Sequence, residues 1–339
     1  MQLSLVIPLR DEIDSVDALL EALDRTVPLM GMSYEYILID DGSVDGTFER
    51  LQTLAAGHPE IRILKLRRSY GQTSALHAGI QEALGTVIVT LDGDLQNDPA
   101  DIPKLVARLD DGFDLVCGWR KIRHDSLVTR RLPSRVANAL IRMLTHTTVH
   151  DIGCTLRAMQ GDIAKELPLR GQWHRFIPVL AAWKGARVTE MVVTHHPRVA
   201  GLSKYRLSRS LGVLVDLAAI LYLTRWSDRP MRFFGVVGFW LCAISCGCLL
   251  SSVPLFSMGS FATAVAAVFV SIIGGFTSLL LASFGFLAEQ MATAENNSPH
   301  GRPWKIRARF SGTLDEIDDL HPDIIRHEYF GFKDSHHAA

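Results

Sequence analysis

The stretch Thr86-Val87-Ile88-Val89-Thr90-Leu91-Asp92-Gly93-Asp94-Leu95-Gln96 decides the fold. A short apolar run rich in β-branched residues reads as a buried strand. It ends in two carboxylates and an amide, on a turn whose glycine permits close backbone approach. Working outward, the same grammar recurs. Leu3 to Leu9 runs into Arg10-Asp11-Glu12, Tyr36 to Ile39 into Asp40-Asp41-Gly42-Ser43, and Ile61 to Leu66 into Arg67 to Gly71. Helix-compatible segments lie between them, around Val16 to Val27, Thr47 to Ala56, Thr73 to Ala83 and Ile102 to Leu109. Further strands are expected over Asp114 to Gly118 and Arg187 to Thr194. Alternating strands and helices indicate an α/β domain with a mostly parallel sheet, expected over residues 1–200. Ligands of such sheets gather at the carboxyl ends of the strands, so four polar strand ends aim at one crevice.

A second feature is the absence of any charged residue from Phe233 to Ala288. The run breaks at Val253-Pro254-Leu255-Phe256-Ser257-Met258-Gly259-Ser260, leaving spans expected over 231–256 and 261–288. Each is long enough to cross roughly 30 Å of hydrocarbon as one arm of a helical hairpin. Arg225, Arg229 and Arg232 precede the first span, Arg302, Lys305, Arg307 and Arg309 follow the second, and the turn carries no Lys or Arg. By the positive-inside rule both ends face the cytoplasm, which makes the chain a multi-pass protein of the inner (plasma) membrane with its globular domain on the cytoplasmic face. Residues 201–230 mix Lys204, Arg206 and Arg209 with Leu211, Leu214, Leu217 and Ile220, and read as amphipathic juxtamembrane helices. Residues 289–339 read as a polar, partly disordered cytoplasmic tail. Met1 leads into Leu3 to Pro8 with neither a basic start nor a cleavage site, so no signal peptide is expected. Gly235, Gly238, Gly274 and Gly275 would permit close helix contact, including contact between copies in a homo-oligomer.

The 35 basic and 36 acidic residues balance globally, and no nucleic-acid partner is expected. Locally, Arg120, Lys121, Arg123, Arg130, Arg131, Arg135 and Arg142 face one acid, Asp125, in an anion-seeking stretch. The five cysteines have neither zinc-ligand nor disulfide-framework spacing and read as small apolar residues in a reducing compartment. His146 and His150 lack paired metal-ligand context and read as surface residues.

Asp92, Asp94 and Gln96 present hard oxygen ligands that suit Mg²⁺ or Mn²⁺, and an ion there would clamp a departing diphosphate. Asp40 and Asp41 place acceptor-only carboxylates where the donor groups of a nucleobase and ribose could bind.

Taken together, these motifs resemble the family 2 inverting glycosyltransferases of GT-A fold, and within them the membrane-anchored polyprenyl-phosphate glycosyltransferases, a group that includes dolichyl-phosphate mannose synthase. The resemblance runs from about Leu3 to Trp304. It is carried by I-P-L-R-D-E, I-D-D-G-S-x-D-G-T, R-x-x-G-Q-T-S-A-L, L-D-G-D-L-Q-x-D-P, D-x-G-C-x-L-R, R-x-x-G-x-S-K-Y and a closing G-R-P-W, in that order. It implies a Rossmann-like catalytic domain that moves a sugar from a nucleotide sugar to a polyprenyl phosphate with inversion. It further implies that Pro8, Leu9, Glu12, Asp40, Asp41 and Gly71 meet the donor nucleotide together with Asp92. Asp92, Asp94 and Gln96 would hold the metal, and Arg120, Arg131, Ser134, Arg198 and Lys204 would meet the acceptor phosphate. The chain departs from the family in Arg10-Asp11, where Asn-Glu is usual, and in Gly93, where Ala is commoner. The motif from Asp151 to Arg157 matches without a role being fixed.

The chemistry agrees with that resemblance, because a lipid monophosphate is largely dianionic at pH 7 and can attack an anomeric carbon without a protein base. Two other readings compete. Gln172-Trp173-His174-Arg175-Phe176 is similar to the Q-x-x-R-W element of processive polysaccharide synthases, although two spans are few for a sugar channel. A non-catalytic regulator could keep the fold, but the intact D-x-D-x-Q set speaks against it.

Overall fold

Seven strands form one sheet in the computed structural model, which describes residues 1–121, 132–145, 147–197, 208–227 and 229–296. They are β1 (Leu3–Leu9), β2 (Tyr34–Asp40), β3 (Ile61–Lys65), β4 (Val87–Thr90), β5 (Leu115–Trp119), β6 (Arg157–Gln160) and β7 (Val188–Val192). The order across the sheet is β3-β2-β1-β4-β6-β5-β7. All neighbours run parallel except β6, which is antiparallel to both β4 and β5. Helices α1 (Val16–Asp24), α2 (Thr47–Ala55), α3 (Gln72–Glu82) and α4 (Ile102–Leu109) connect the first five strands. After them come α5 (Leu132–Thr145), α6 (Gly161–Glu166), α7 (Ile177–Trp183) and α8 (Ser208–Trp226).

Strand periodicity sorts β1 between two faces. Leu3, Leu5, Ile7 and Leu9 enter a core with Val16, Leu19 and Leu23 of α1 and Ile102 and Leu105 of α4. Val6 faces the other way, toward α3. A Cβ at Gly79 of α3 would stand 2.5 Å from Val6 Cγ1 and 2.6 Å from Ile39 Cδ1, so the missing side chain is what lets α3 lie against the sheet. With both faces covered, the strands read as nearly continuous apolar runs. The amino ends of the strands close on buried polar groups: Ser4 Oγ donates to Glu35 Oε1 at 2.6 Å, and Arg62 pairs with Glu35 at 2.7 Å.

Most limits expected from sequence shift by a residue or a few, and α4 falls at its expected bounds. Helix α1 ends at Asp24 rather than Val27, and a short 3₁₀ turn at Pro28–Met30 follows. Strand β6 was not expected. It inserts antiparallel between β4 and β5, so the sheet is mixed.

The chain divides into two compact units, Met1–Leu221 and Tyr222–Ala339. In the second, α9 (Pro230–Ser257) and α10 (Phe261–Asn296) form an antiparallel pair. Both are long and apolar enough to cross a membrane, with mean hydropathy 2.2 and 2.3 in their most apolar windows. Small residues line their contact: Ser278 Oγ donates to the Gly238 carbonyl at 2.8 Å, and a Cβ at Gly274 would stand 2.1 Å from Ser245 Oγ. Outward faces carry exposed Phe239, Trp240, Leu250, Phe269 and Ile273. The five cysteines are free thiols.

The first helix, expected over 231–256, runs from Pro230 to Ser257 with Pro254 inside its last turn, where a proline forfeits only one intrahelical bond, and Gly259 follows at φ +77°. One expectation for this unit is corrected. The second helix does not stop at Ala288 but runs through Glu289 to Asn296.

Gly79→Ala should destabilise the chain by about 1–3 kcal/mol through overpacking against Val6 and Ile39. In detergent its midpoint of thermal unfolding should fall by roughly 3–10 °C. An unchanged midpoint would show that α3 has slack against the sheet.

Candidate active site

The carboxyl ends of β1, β2 and β4 and the loop after β3 converge, and hydrogen bonds tie them together. Asp41, just past β2, is buried. Its backbone N–H donates to the Leu9 carbonyl at 2.9 Å. Its carboxylate accepts from Tyr70 N at 2.7 Å, Gly71 N at 2.9 Å and Ser69 Oγ at 2.9 Å. Arg10 donates to the same Ser69 hydroxyl at 2.7 Å. Gly42, at φ +70°, lets the turn after β2 touch this loop, since a Cβ there would lie 2.6 Å from Ser69 N. Asp11, at φ +52°, accepts from Val44 N through Oδ1 at 3.0 Å and donates its own N–H to Ser43 Oγ at 2.9 Å. The Arg10-Asp11 departure thus has structural work: one residue braces the loop after β3, the other the turn after β2.

Asp40 is fully buried. Oδ1 accepts from Ser43 N at 3.1 Å, and Oδ2 has no hydrogen-bond partner in the protein. A buried carboxylate oxygen left unsatisfied is costly and marks a place where a donor group of a ligand could settle. Glu12 is half-buried and accepts from Ser15 Oγ at 3.0 Å.

At the end of β4, Asp92 and Asp94 flank Gly93, and Leu95 adopts φ +56°, a conformation that costs a non-glycine residue about 1 kcal/mol. Gln96 donates to Asp94 twice, from its backbone N–H at 3.2 Å and from its amide at 2.9 Å. That leaves the Gln96 carbonyl oxygen as its atom for a ligand. Asp92 Oδ1 accepts from the Gln72 amide at 2.7 Å. Burial and the neighbouring Asp94 charge push the Asp92 carboxyl up to about 6, against the opposing pull of Thr155, Arg120 and Arg157. Two hard carboxylates crowded until one resists ionising form a donor set that fits a divalent cation of the Mg²⁺ or Mn²⁺ kind. A Cβ at Gly93 would lie 2.2 Å from Leu9 Cδ2, so an alanine there would require the Leu9 side chain to shift.

Three expectations change. The side chain of Leu9 is in the core, so only its backbone is left for a nucleotide. Asp41 holds the loop after β3 with both its oxygens and is a positioning residue. Arg120 closes its fork on buried Asp151, with Nε to Oδ2 at 2.8 Å and Nη2 to Oδ1 at 3.1 Å, instead of standing open to a phosphate. Pro8 and Gly71 are half-buried at the crevice ends of β1 and α3. Ser134 lies in α5. Arg131, Arg198, Lys204 and His146 lie outside the described residues. His150 is exposed as expected, stacked on Trp119 and paired with Glu190.

The motifs left without a role join the scaffold. Fully buried Arg157 donates to the carbonyls of His174 and Ile152, each at 2.9 Å, and His174 Nδ1 meets Thr73 Oγ1 at 2.6 Å at the start of α3. The Gln172–Phe176 element therefore braces α3 against the Asp151–Arg157 segment.

The chain matches the model of glycosyl transferase family 2 over residues 4–167. It is similar to dodecaprenyl-phosphate galacturonate synthase of Rhizobium johnstonii, at 39% identity over 86% of this chain and 88% of that protein. It is also similar to the undecaprenyl-phosphate 4-deoxy-4-formamido-L-arabinose transferase of Yersinia enterocolitica, at 39% identity over 70% of this chain and 71% of that one. Among solved structures it resembles glucosyl-3-phosphoglycerate synthase of Mycobacterium tuberculosis in complex with Mn²⁺, UDP and phosphoglyceric acid. There the TM-score is 0.50 and the identity 19%, over 66% of this chain and 78% of that one, a likeness of fold. The chain belongs to glycosyl transferase family 2, and its fold is GT-A.

Because the folded chain raises the Asp92 carboxyl from 3.8 to about 6, the folded state binds more protons than the unfolded one between those values. The contribution of Asp92 to metal-free stability should therefore fall as pH rises through that window and stay lower at pH 7. In EDTA at pH 7, Asp92→Asn should be more stable than the natural chain by on the order of 1–2 kcal/mol, a figure discounted for partial exposure to water. The difference should vanish near pH 4, and thermal unfolding at the two pH values measures it.

Proposed function

We propose that this family 2 glycosyltransferase transfers a sugar from a UDP- or GDP-linked donor to a polyprenyl phosphate, with inversion at the anomeric carbon. The observation that carries the reading is the likeness to a dodecaprenyl-phosphate galacturonate synthase along 86% of the chain, well beyond the residues of the family model. In the reaction, an oxygen of the lipid phosphate forms the bond to the anomeric carbon. The bond from that carbon to the nucleoside diphosphate breaks, and its electron pair leaves with the diphosphate. The acceptor is already largely a dianion at pH 7, so no side chain has to remove a proton.

The chain then has to orient and neutralise. Asp40, with its unsatisfied Oδ2, and Glu12 would take donor groups of base and ribose beside Pro8 and the Leu9 backbone. Asp92, Asp94 and the Gln96 carbonyl would hold Mg²⁺ or Mn²⁺, which when bound offsets the charge on the leaving diphosphate. Arg131, Ser134, Arg198 and Lys204 remain the proposed partners of the acceptor phosphate. Helices α9 and α10 would anchor the enzyme in the inner membrane with the catalytic domain on the cytoplasmic side. The names of the two relatives make a galacturonate and a formamido-arabinose the first donors to try.

Membranes containing the chain should move label from one donor of a UDP- and GDP-sugar panel into lipid extracts when undecaprenyl phosphate is supplied. Asp94→Ala, or excess EDTA with the natural chain, should abolish at least about 99% of transfer. Full activity under either condition would remove the metal from the mechanism, and no transfer from any donor would sink the acceptor assignment.

Topology has its own test. A cysteine placed at Ser257 should be labelled from outside the cell by an impermeant reagent, and one placed at Ser298 should not. The opposite pattern would invert the orientation.

A further inference from the structure

Gln72 lies outside the metal and nucleotide sets, yet its side chain reaches directly to Asp92. Its amide Nε2 donates to Asp92 Oδ1 at 2.7 Å, short for a hydrogen bond between nitrogen and oxygen and typical of a charged acceptor. Gln72 is the first residue of α3, and both residues beside it are anchored. Gly71 N donates to Asp41 at 2.9 Å, and Thr73 Oγ1 meets His174 Nδ1 at 2.6 Å. An exposed side chain that could wander in water is thus launched from a fixed backbone directly at one carboxylate oxygen. A carboxylate offers about four lone-pair directions, so a donor fixed on one oxygen orients it and leaves the others open.

We propose that Gln72 is a positioning residue for the divalent-metal site, fixing the Asp92 carboxylate through its side-chain amide in the orientation that takes up the ion. The proposal rests on the reading that Asp92 and Asp94 hold that ion. Ligating carboxylates are commonly held by such outer hydrogen bonds, whose loss weakens metal affinity about 10- to 100-fold.

The test is Mn²⁺ binding to the full chain in detergent at pH 7.5, followed by the electron paramagnetic resonance signal of free Mn²⁺ without nucleotide. Thermal unfolding in EDTA runs beside it. The natural chain should bind Mn²⁺, and Asp94→Ala should abolish the binding. Gln72→Ala and the near-isosteric Gln72→Met should each weaken it at least about tenfold, with unchanged unfolding temperatures in EDTA. Affinity within threefold of the natural chain, or tighter, in either Gln72 variant overturns the proposal while leaving the metal reading intact. Unfolding temperature and affinity falling together also count against it, since a collapsed loop explains both. If the natural chain binds no Mn²⁺, or Asp94→Ala binds it undiminished, the metal reading and the proposal fall together.

Discussion

One buried carboxylate holds the crevice end of this domain together. Asp41 accepts three hydrogen bonds from Ser69, Tyr70 and Gly71, and its own N–H reaches the Leu9 carbonyl. Hydrogen bonds to a charged group are worth about 1.5–3 kcal/mol each, and losing one partner here would strand a buried charge. Through this residue the ends of β1 and β2 and the loop after β3 become one rigid piece. The start of α3 depends on it in turn, because Asp41 fixes Gly71 and Gln72 leaves that helix toward Asp92. Loops at the end of a parallel sheet would otherwise be free to move independently, and a site assembled from three of them would be loose.

Much of this architecture was legible in the sequence, and the residues that were not share a reason. Apolar runs that end in acids gave the strands and the crevice, because burial and chain reversal both leave local marks. That the side chain of Leu9 lies in the core was hidden in its motif, because a motif shows adjacency and not direction. The period of two along Leu3, Leu5, Ile7 and Leu9 already pointed its side chain into the core. Asp40 and Asp41 look equivalent as letters, yet one ends its strand with an unsatisfied oxygen and the other turns to bind the loop at Ser69, Tyr70 and Gly71. Strand β6 was invisible because it is four residues long and opens with a fully buried arginine, whose partners are carbonyls from other segments. Long-range partners of that kind leave no periodicity to read.

The apolar hairpin shows the opposite balance. Its existence is written in composition alone, while its ends depend on contacts. Glu289 reads as the first residue of a polar tail. In the structure it stays helical, and its carboxylate accepts from Met231 N at 3.0 Å, capping the first turn of the other arm. A carboxylate there satisfies a backbone donor with no intrahelical partner and lies at the positive end of the helix dipole. The helix therefore extends past the apolar stretch, because the charge that seemed to end it has a partner 58 residues away.

The electrostatics of Asp92 show what the arrangement gives up. Two guanidinium groups act on it, Arg120 and Arg157, yet burial and Asp94 still leave its carboxyl raised to about 6. Arg120 is committed to Asp151 in a forked ion pair, and Arg157 spends two of its donors on backbone carbonyls. Neither cation is placed to pair with Asp92 directly, although a lysine or arginine in contact would be the ordinary way to stabilise a crowded carboxylate. An asparagine in its place would relieve the repulsion as well. A chain selected for stability alone would take one of these routes. Leaving the carboxyl of Asp92 crowded is what the proposed function asks of it, since there a divalent cation would bind beside the donor diphosphate. Part of the stability of the folded domain is then held in reserve for that encounter.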